Sequence, residues 1–275
     1  MITVLGASGF IGSHLVKRLE ELGEPFAAPG RDETISTHAG HLIYCIGLTS
    51  DFRSRPFDTV RAHVCKLLEV LQDWELDSLL YLSSTRLYGT DMPEALEANE
   101  EDSFQFNSLN PSDLYNISKA MGESLSLACG KKTRVVRLSN VYGDDLTSEN
   151  FLPSVIKDAL SKKKVKLQTS ADSAKDYVNI RDVVDGLINI ATKGKHTIYN
   201  LASGVNVSNR QLMDKISELT GCQVEFERDA PTVSFPPINI DRMRTEFDFR
   251  PSNLLADITT LIESYRRRGG LGDQN

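Results

Sequence analysis

The chain has 275 residues, 40% of them hydrophobic and 25% charged, an ordinary composition for a globular protein with a substantial core. Its 31 Lys and Arg against 38 Asp and Glu leave a net charge of -7 and a pI near 5.3, which excludes a general basic surface for a nucleic-acid backbone. No apolar run approaches the ~20 residues of a membrane span, the amino terminus lacks a signal-peptide pattern, and Cys45, Cys65, Cys129 and Cys222 lie far apart without metal-ligand spacing. A soluble cytoplasmic protein with no membrane, nucleic-acid or metal partner is expected.

A short apolar run at 1–5 meets Gly6, Ala7, Ser8, Gly9, Phe10, Ile11 and Gly12, after which Ile11, Leu15, Leu19 and Leu22 recur at helical spacing up to Gly23. Strand, glycine turn and helix in that order form a dinucleotide fingerprint. The first glycine permits the tight turn, Gly9 admits a pyrophosphate, Gly12 lets helix and strand approach, and free N–H groups at the helix start attract the phosphate charge. A second strand at 25–29 ends in Gly30, Arg31 and Asp32, where a carboxylate that binds a ribose 2'-hydroxyl is often found. Arg31 instead offers a guanidinium to a 2'-phosphate and favours NADP(H); Asp32 and Glu33 keep NAD(H) as the alternative.

Further on, 41–46 reads as a strand, 57–74 as an amphipathic helix and 79–82 as a strand that ends in the hydroxyls of Ser83, Ser84 and Thr85. Tyr115 and Lys119 are four residues apart in an apparent helix and share a face. A lysine beside a tyrosine favours the phenolate and makes the phenol a usable general acid/base. Residues 133–138, 177–180 and 197–201 supply more strands, with a helix at 181–191. The fold class is therefore α/β, with a parallel sheet. The prolines between Ala230 and Pro237 mark a surface loop, and a last helix at 254–268 ends in Arg266, Arg267 and Arg268, which complement the helix dipole.

Together these segments resemble the extended branch of the short-chain dehydrogenase/reductase superfamily, the NAD-dependent epimerase/dehydratase family that acts on nucleotide sugars. The resemblance rests on Gly6 to Gly12, Ser83-Ser84 to Tyr88-Gly89, Tyr115 to Lys119, Arg137 to Gly143, Lys175-Asp176-Tyr177-Val178 to Asp182-Val183-Val184, and Ile198 to Gly204. It implies a Rossmann-like, doubly wound parallel sheet with a smaller, partly interleaved C-terminal substrate lobe. The dinucleotide-binding part would span 1–140 and about 174–204, and the substrate lobe about 141–173 and 205–275. The family pattern makes Tyr115 the acid/base, has Lys119 bind the nicotinamide ribose while tuning Tyr115, and has Ser84 hold the reacting oxygen. Gly6, Ser8, Gly9, Phe10, Ile11, Gly12, Arg31 and Gly47 would line the cofactor, and Thr85, Asn140, Arg210 and Arg242 the nucleotide-sugar substrate.

Two departures stand out. Only ten residues separate Arg31 from Leu42, too few for the helix and strand the family usually places there, and His63 replaces a common asparagine. Dehydratases of the family carry an acidic pair where this chain has Thr85 and Arg86, and its epimerase/reductases carry a cysteine that is absent here. An NADPH-dependent reductase of a 4-keto-(deoxy)hexose nucleotide sugar is expected, with a nucleotide-sugar 4-epimerase as the alternative and a homodimer left open. A non-catalytic dinucleotide-binding regulator is the remaining reading; such relatives usually lose the tyrosine or lysine, and both are present.

Overall fold

The computed structural model describes residues 1–30, 33, 38–49, 51–90, 96–145 and 148–268. β1 (Ile2–Leu5) is wholly buried and turns through Gly6 into α1 (Phe10–Leu22), which stops at Gly23, a left-handed residue whose N–H bonds back to the Glu20 and Leu19 carbonyls. β2 is only Phe26–Ala27, shorter than the 25–29 expected, and β3 is His41–Tyr44. The expected helix at 57–74 is present but not regular. α2 (Pro56–Val60) and α3 (Lys66–Asp73) are joined by a widened turn over Arg61–Cys65, in which the Lys66 N–H reaches the Arg61 carbonyl. β4 (Ser78–Ser84) runs into a single 3-10 turn, Thr85–Tyr88, and α4 (Asp113–Ala128) precedes β5 (Thr133–Leu138).

The chain leaves this sheet at the carboxyl end of β5 and resumes as β6 (Asn140–Tyr142), followed by α5 (Phe151–Ser161), β7 (Lys164–Leu167) and β8 (Ala174–Asn179). α6 (Ile180–Lys193) starts at Asn179, whose side chain accepts the Arg181 N–H, and leads to β9 (Ile198–Leu201). β10 (Asn206–Ser208) ends in the reciprocal Ser208/Gln211 cap of α7 (Asn209–Thr220), and β11 (Gln223–Phe226), α8 (Asp241–Phe247) and α9 (Leu254–Arg268) complete the fold. Among the described residues no helix is long and apolar enough to cross a membrane.

The main sheet has the order β2-β1-β3-β4-β5-β9 with every pair parallel. Parallel strands are buried on both faces, and their apolar runs show it. One face packs Val4, Ile43, Leu80 and Val136 against Leu15 and Leu19 of α1 and Val183, Leu187 and Ile190 of α6. The other packs Leu42, Tyr44, Leu79 and Tyr81 against Leu67, Val70 and Leu71 of α3. This is the doubly wound α/β arrangement expected from the alternation of strands and helices.

β8 departs from that expectation. It does not extend the main sheet but pairs in parallel with β6 and antiparallel with β10, while β7 and β11 form a parallel pair of their own. A separate core of α5, α7 and α9, including Ile156, Ile216, Ile258 and Ile262, covers these strands. β1, β3, β4 and β6 thus deliver their carboxyl ends to one crevice, the edge at which open α/β sheets bind ligands.

Candidate functional site

That crevice is a cavity of about 550 Å³. Its floor is the glycine turn. Gly6 has φ +92, and the Gly9 N–H closes onto its carbonyl at 3.1 Å, so the turn is compact. A Cβ on Gly12 would lie 2.8 Å from the Gly6 carbonyl carbon and 2.9 Å from Ala7 Cα, a position only glycine can fill. Gly9, Phe10 and Ile11 line the cavity, and no side chain caps the start of α1, whose first amides are left for a ligand. Gly6 and Gly12 shape the turn from behind, and Ser8 is exposed and does not line the cavity.

Gly47 forms the opposite wall beside Cys45 and Ile46, with room for a Cβ only 3.3 Å from Lys119 Nζ. The Ser83 hydroxyl, also on the lining, is buried and unpartnered. An uncapped helix start, a cradle closed by glycines and an orphan hydroxyl fit a bound dinucleotide. At the end of β2 the Glu33 carboxylate turns back to accept the Gly30 N–H at 2.8 Å. Arg31 and Asp32 lie outside the described residues, as does half of the shortened 31–42 segment.

Tyr115 and Lys119, one turn apart on α4, both line the cavity and are both buried, at 6% and 5% exposure. The Tyr115 hydroxyl pairs with that of Ser84, which also accepts the Arg86 N–H at 3.2 Å. The expected lowering of the phenol is not what the surroundings produce. Burial raises the Tyr115 pKa above its ordinary value, opposed by Ser84 and by the guanidinium of Arg86, which lies 5.7 Å from the ring centre. The Lys119 ammonium donates to the Leu82 carbonyl at 2.8 Å. Burial brings Lys119 down to about 7 against the opposing charge of Glu123, and it pushes the Cys45 thiol up to about 12, which fits a packed rather than a reactive cysteine.

Thr85 and Asn140 line the same cavity, Asn140 donating to the Asp176 carbonyl at 2.8 Å. Arg210 and Arg242 do not. Arg210 faces Asp172 on the surface, and Arg242 donates to the Ile198 carbonyl at 2.8 Å and pairs with Glu100 and Glu101. Arg242 thereby closes a buried network in which Arg137 grips Glu123 through two bonds at 3.1 and 2.9 Å and donates to the Tyr88 hydroxyl and the Glu100 carbonyl. The Tyr88 hydroxyl bonds Asn200 Oδ1, and the Asn200 N–H bonds the Glu100 carboxylate.

Besides Lys119, the cations that face the cavity are Arg86, Arg53 and Lys175. Arg86 is held over Phe52 at 5.3 Å and Lys175 over Phe151 at 4.4 Å, and neither pairs with a carboxylate among the described residues. Burial lowers the pKa of both, assisted by mutual repulsion at Lys175 and by Arg53 at Arg86. Both stood in motifs visible in the sequence, but nothing there distinguished a cavity cation from a surface one. Phe52 and Phe151 carried no local signal at all.

The profile of the NAD dependent epimerase/dehydratase family matches residues 2–202. A dTDP-4-dehydro-6-deoxy-D-allose reductase of Streptomyces sp. is 22% identical across 96% of both chains. A UDP-glucose 4-epimerase of Streptococcus mutans is 25% identical across 96% of this chain and 95% of its own. Among solved structures, RMD from Pseudomonas aeruginosa complexed with NADPH superposes with a TM-score of 0.81 at 19% identity, covering 97% of this chain and 99% of its own.

Proposed function

Because the chain belongs to the NAD dependent epimerase/dehydratase family and is an enzyme of that nicotinamide-dependent type, we propose that it is a reductase of a 4-keto hexose carried on a nucleoside diphosphate, with NADPH as reductant. The reading is carried by the segment that follows Ser84. It presents Thr85 and Arg86 to the cavity and no carboxylate, so Tyr115 is the proton donor at the reacting end.

Burial keeps the Tyr115 hydroxyl protonated at neutral pH, the form a ketone reduction uses first. Ser84, paired with that hydroxyl, orients the carbonyl oxygen, and Tyr115 transfers its proton to that oxygen as the carbon is reduced. A reduced nicotinamide dinucleotide held by its pyrophosphate at the glycine turn would supply the hydride. Lys119, anchored on Leu82 and beside Gly47, holds the ribose side of the site. Arg86 and Lys175 receive the diphosphate, a role the sequence had suggested for Arg210 and Arg242. Gly30-Arg31 supports the 2'-phosphate, while the Glu33 carboxylate on Gly30 is the group that would take a free 2'-hydroxyl.

Stoichiometry tests the reaction. One NADPH consumed per 4-keto sugar nucleotide is expected, and Tyr115→Phe should lower turnover at least ~100-fold while cofactor affinity stays within about threefold. Interconversion of two sugar nucleotides with nicotinamide recycled and none consumed would replace the reductase with a 4-epimerase.

A further inference from the structure

His63 takes no part in the chemistry above, yet it is fully buried beside it. It sits in the widened turn between α2 and α3, which carries the imidazole under the catalytic helix. The Leu48 N–H donates to Nε2 at 3.2 Å, so the proton of the neutral ring is on Nδ1. Nδ1 donates to the Ser118 hydroxyl at 2.8 Å, and Ser118 donates to the Tyr115 carbonyl at 2.9 Å. The ring meets that of Tyr115 edge-on, with centres 5.3 Å apart. A Cβ on Gly47 would stand 3.3 Å from both His63 Nε2 and Lys119 Nζ, so loop, imidazole and ammonium share one contact point. Burial and the adjacent Lys119 cation push the imidazole down to about 2, and it remains neutral.

We infer that His63 is a positioning residue for Tyr115 and Lys119, a two-ended tie between the loop that walls the cofactor cavity and the helix that carries the acid. Its Nε2 end fixes the loop at Leu48, next to Gly47. Its Nδ1 end fixes the first turns of α4 through Ser118. The role rests on the reductase reading for what Tyr115 does, but the tie itself is tested by binding and exchange.

Two near-isosteric variants separate the ends, since an asparagine amide falls where Nδ1 lies and a glutamine amide where Nε2 lies. His63→Asn should keep turnover within about threefold and weaken cofactor binding at least about fivefold, read by fluorescence titration with NADPH and NADH. His63→Gln should hold cofactor affinity within about twofold, lower kcat about tenfold or more, and speed amide exchange over residues 115–120. Ser118→Ala should repeat the glutamine pattern. The inference is overturned if both variants match the parent, if both lose only thermal stability, or if affinity and exchange shift alike in both. Absence of reductase activity in the parent would sink the functional reading alone, with affinity and exchange still deciding the tie.

Discussion

Gly12→Ala and Gly9→Ala probe one motif with opposite expected outcomes. At Gly12 the new methyl would stand 2.8 Å from the Gly6 carbonyl carbon, 2.9 Å from Ala7 Cα and closer still to the Gly6 oxygen. All three are backbone atoms of the same turn, so no side chain can yield and α1 must move off β1. Overpacking of this kind costs about 3 kcal/mol at the upper end of its usual range, or about 6–12 °C in Tm for a domain of this size. At Gly9 the backbone is already extended, with φ -78 and ψ 171, and the only neighbour a Cβ would meet is the Gly6 oxygen at an ordinary 3.4 Å. Alanine should be accepted there without loss of stability, but its methyl stands where a pyrophosphate must approach. Thermal unfolding and NADPH titration of both variants separate the two roles. The expected pair is a destabilised Gly12→Ala and a Gly9→Ala of parental Tm whose NADPH affinity is at least ~10-fold weaker. A Gly12→Ala protein within 1–2 °C of the parent, roughly the effect of half a kcal/mol, would refute the packing argument.

Arg137→Met should destabilise by about 3–5 kcal/mol because it leaves Glu123 buried and unpaired, and adding Glu123→Met should recover part of the loss; a single-variant loss below about 1 kcal/mol in urea unfolding would contradict this. Since Lys119 lies near 7 in the fold against 10.5 when free, the unfolded chain binds the extra proton between those values and stability gains with rising pH. Relative to Lys119→Met, ligand-free protein should therefore gain about 2–3 kcal/mol between pH 7 and 9, and parallel pH profiles would rule the shift out. For the cofactor, Arg31→Ala should weaken NADPH by about 1–3 kcal/mol and spare NADH, whereas Glu33→Gln should spare NADPH; equal losses for both nucleotides would remove the 2'-phosphate role.

What could be read from the chain was local. The glycine turn, the hydroxyls at the end of β4 and the Tyr115/Lys119 spacing each lie within one strand, turn or helix, and periodicity places such groups without knowledge of distant contacts. The final helix, with bounds 254–268, was legible for the same reason. Long-range pairing was not. The departure of β8 from the main sheet depends on β6 and β10 lying beside it, and hydrophobic alternation is blind to which sheet a strand joins. The widened turn at Arg61–Cys65 was hidden because its apolar pattern still reads as a helix. Arg210 and Arg242 looked like anion binders because a sequence shows charge without its partner, and one faces Asp172 while the other closes onto Glu100 and Glu101. Tyr115 shows the reverse: spacing paired it with Lys119, but the turn after β4 brings Arg86 to its ring.

The Arg137 network sets a lower limit on how much of the chain can stand alone. Glu123 and Arg137 come from α4 and β5, Tyr88 from the turn after β4, Asn200 from β9 and Arg242 from α8, and Glu100 receives bonds from the last two. A fragment ending at β6 would retain the glycine turn, Ser84, Tyr115 and Lys119, yet leave the Glu100 carboxylate without Asn200 and Arg242 and the Tyr88 O–H without its acceptor on Asn200. The half of the molecule that carries the chemistry is thus not a detachable module, and a nascent chain cannot complete its polar interior until residue 242 has been made. Grafting this site onto another scaffold would mean moving α8 with it, although α8 touches no part of the cavity.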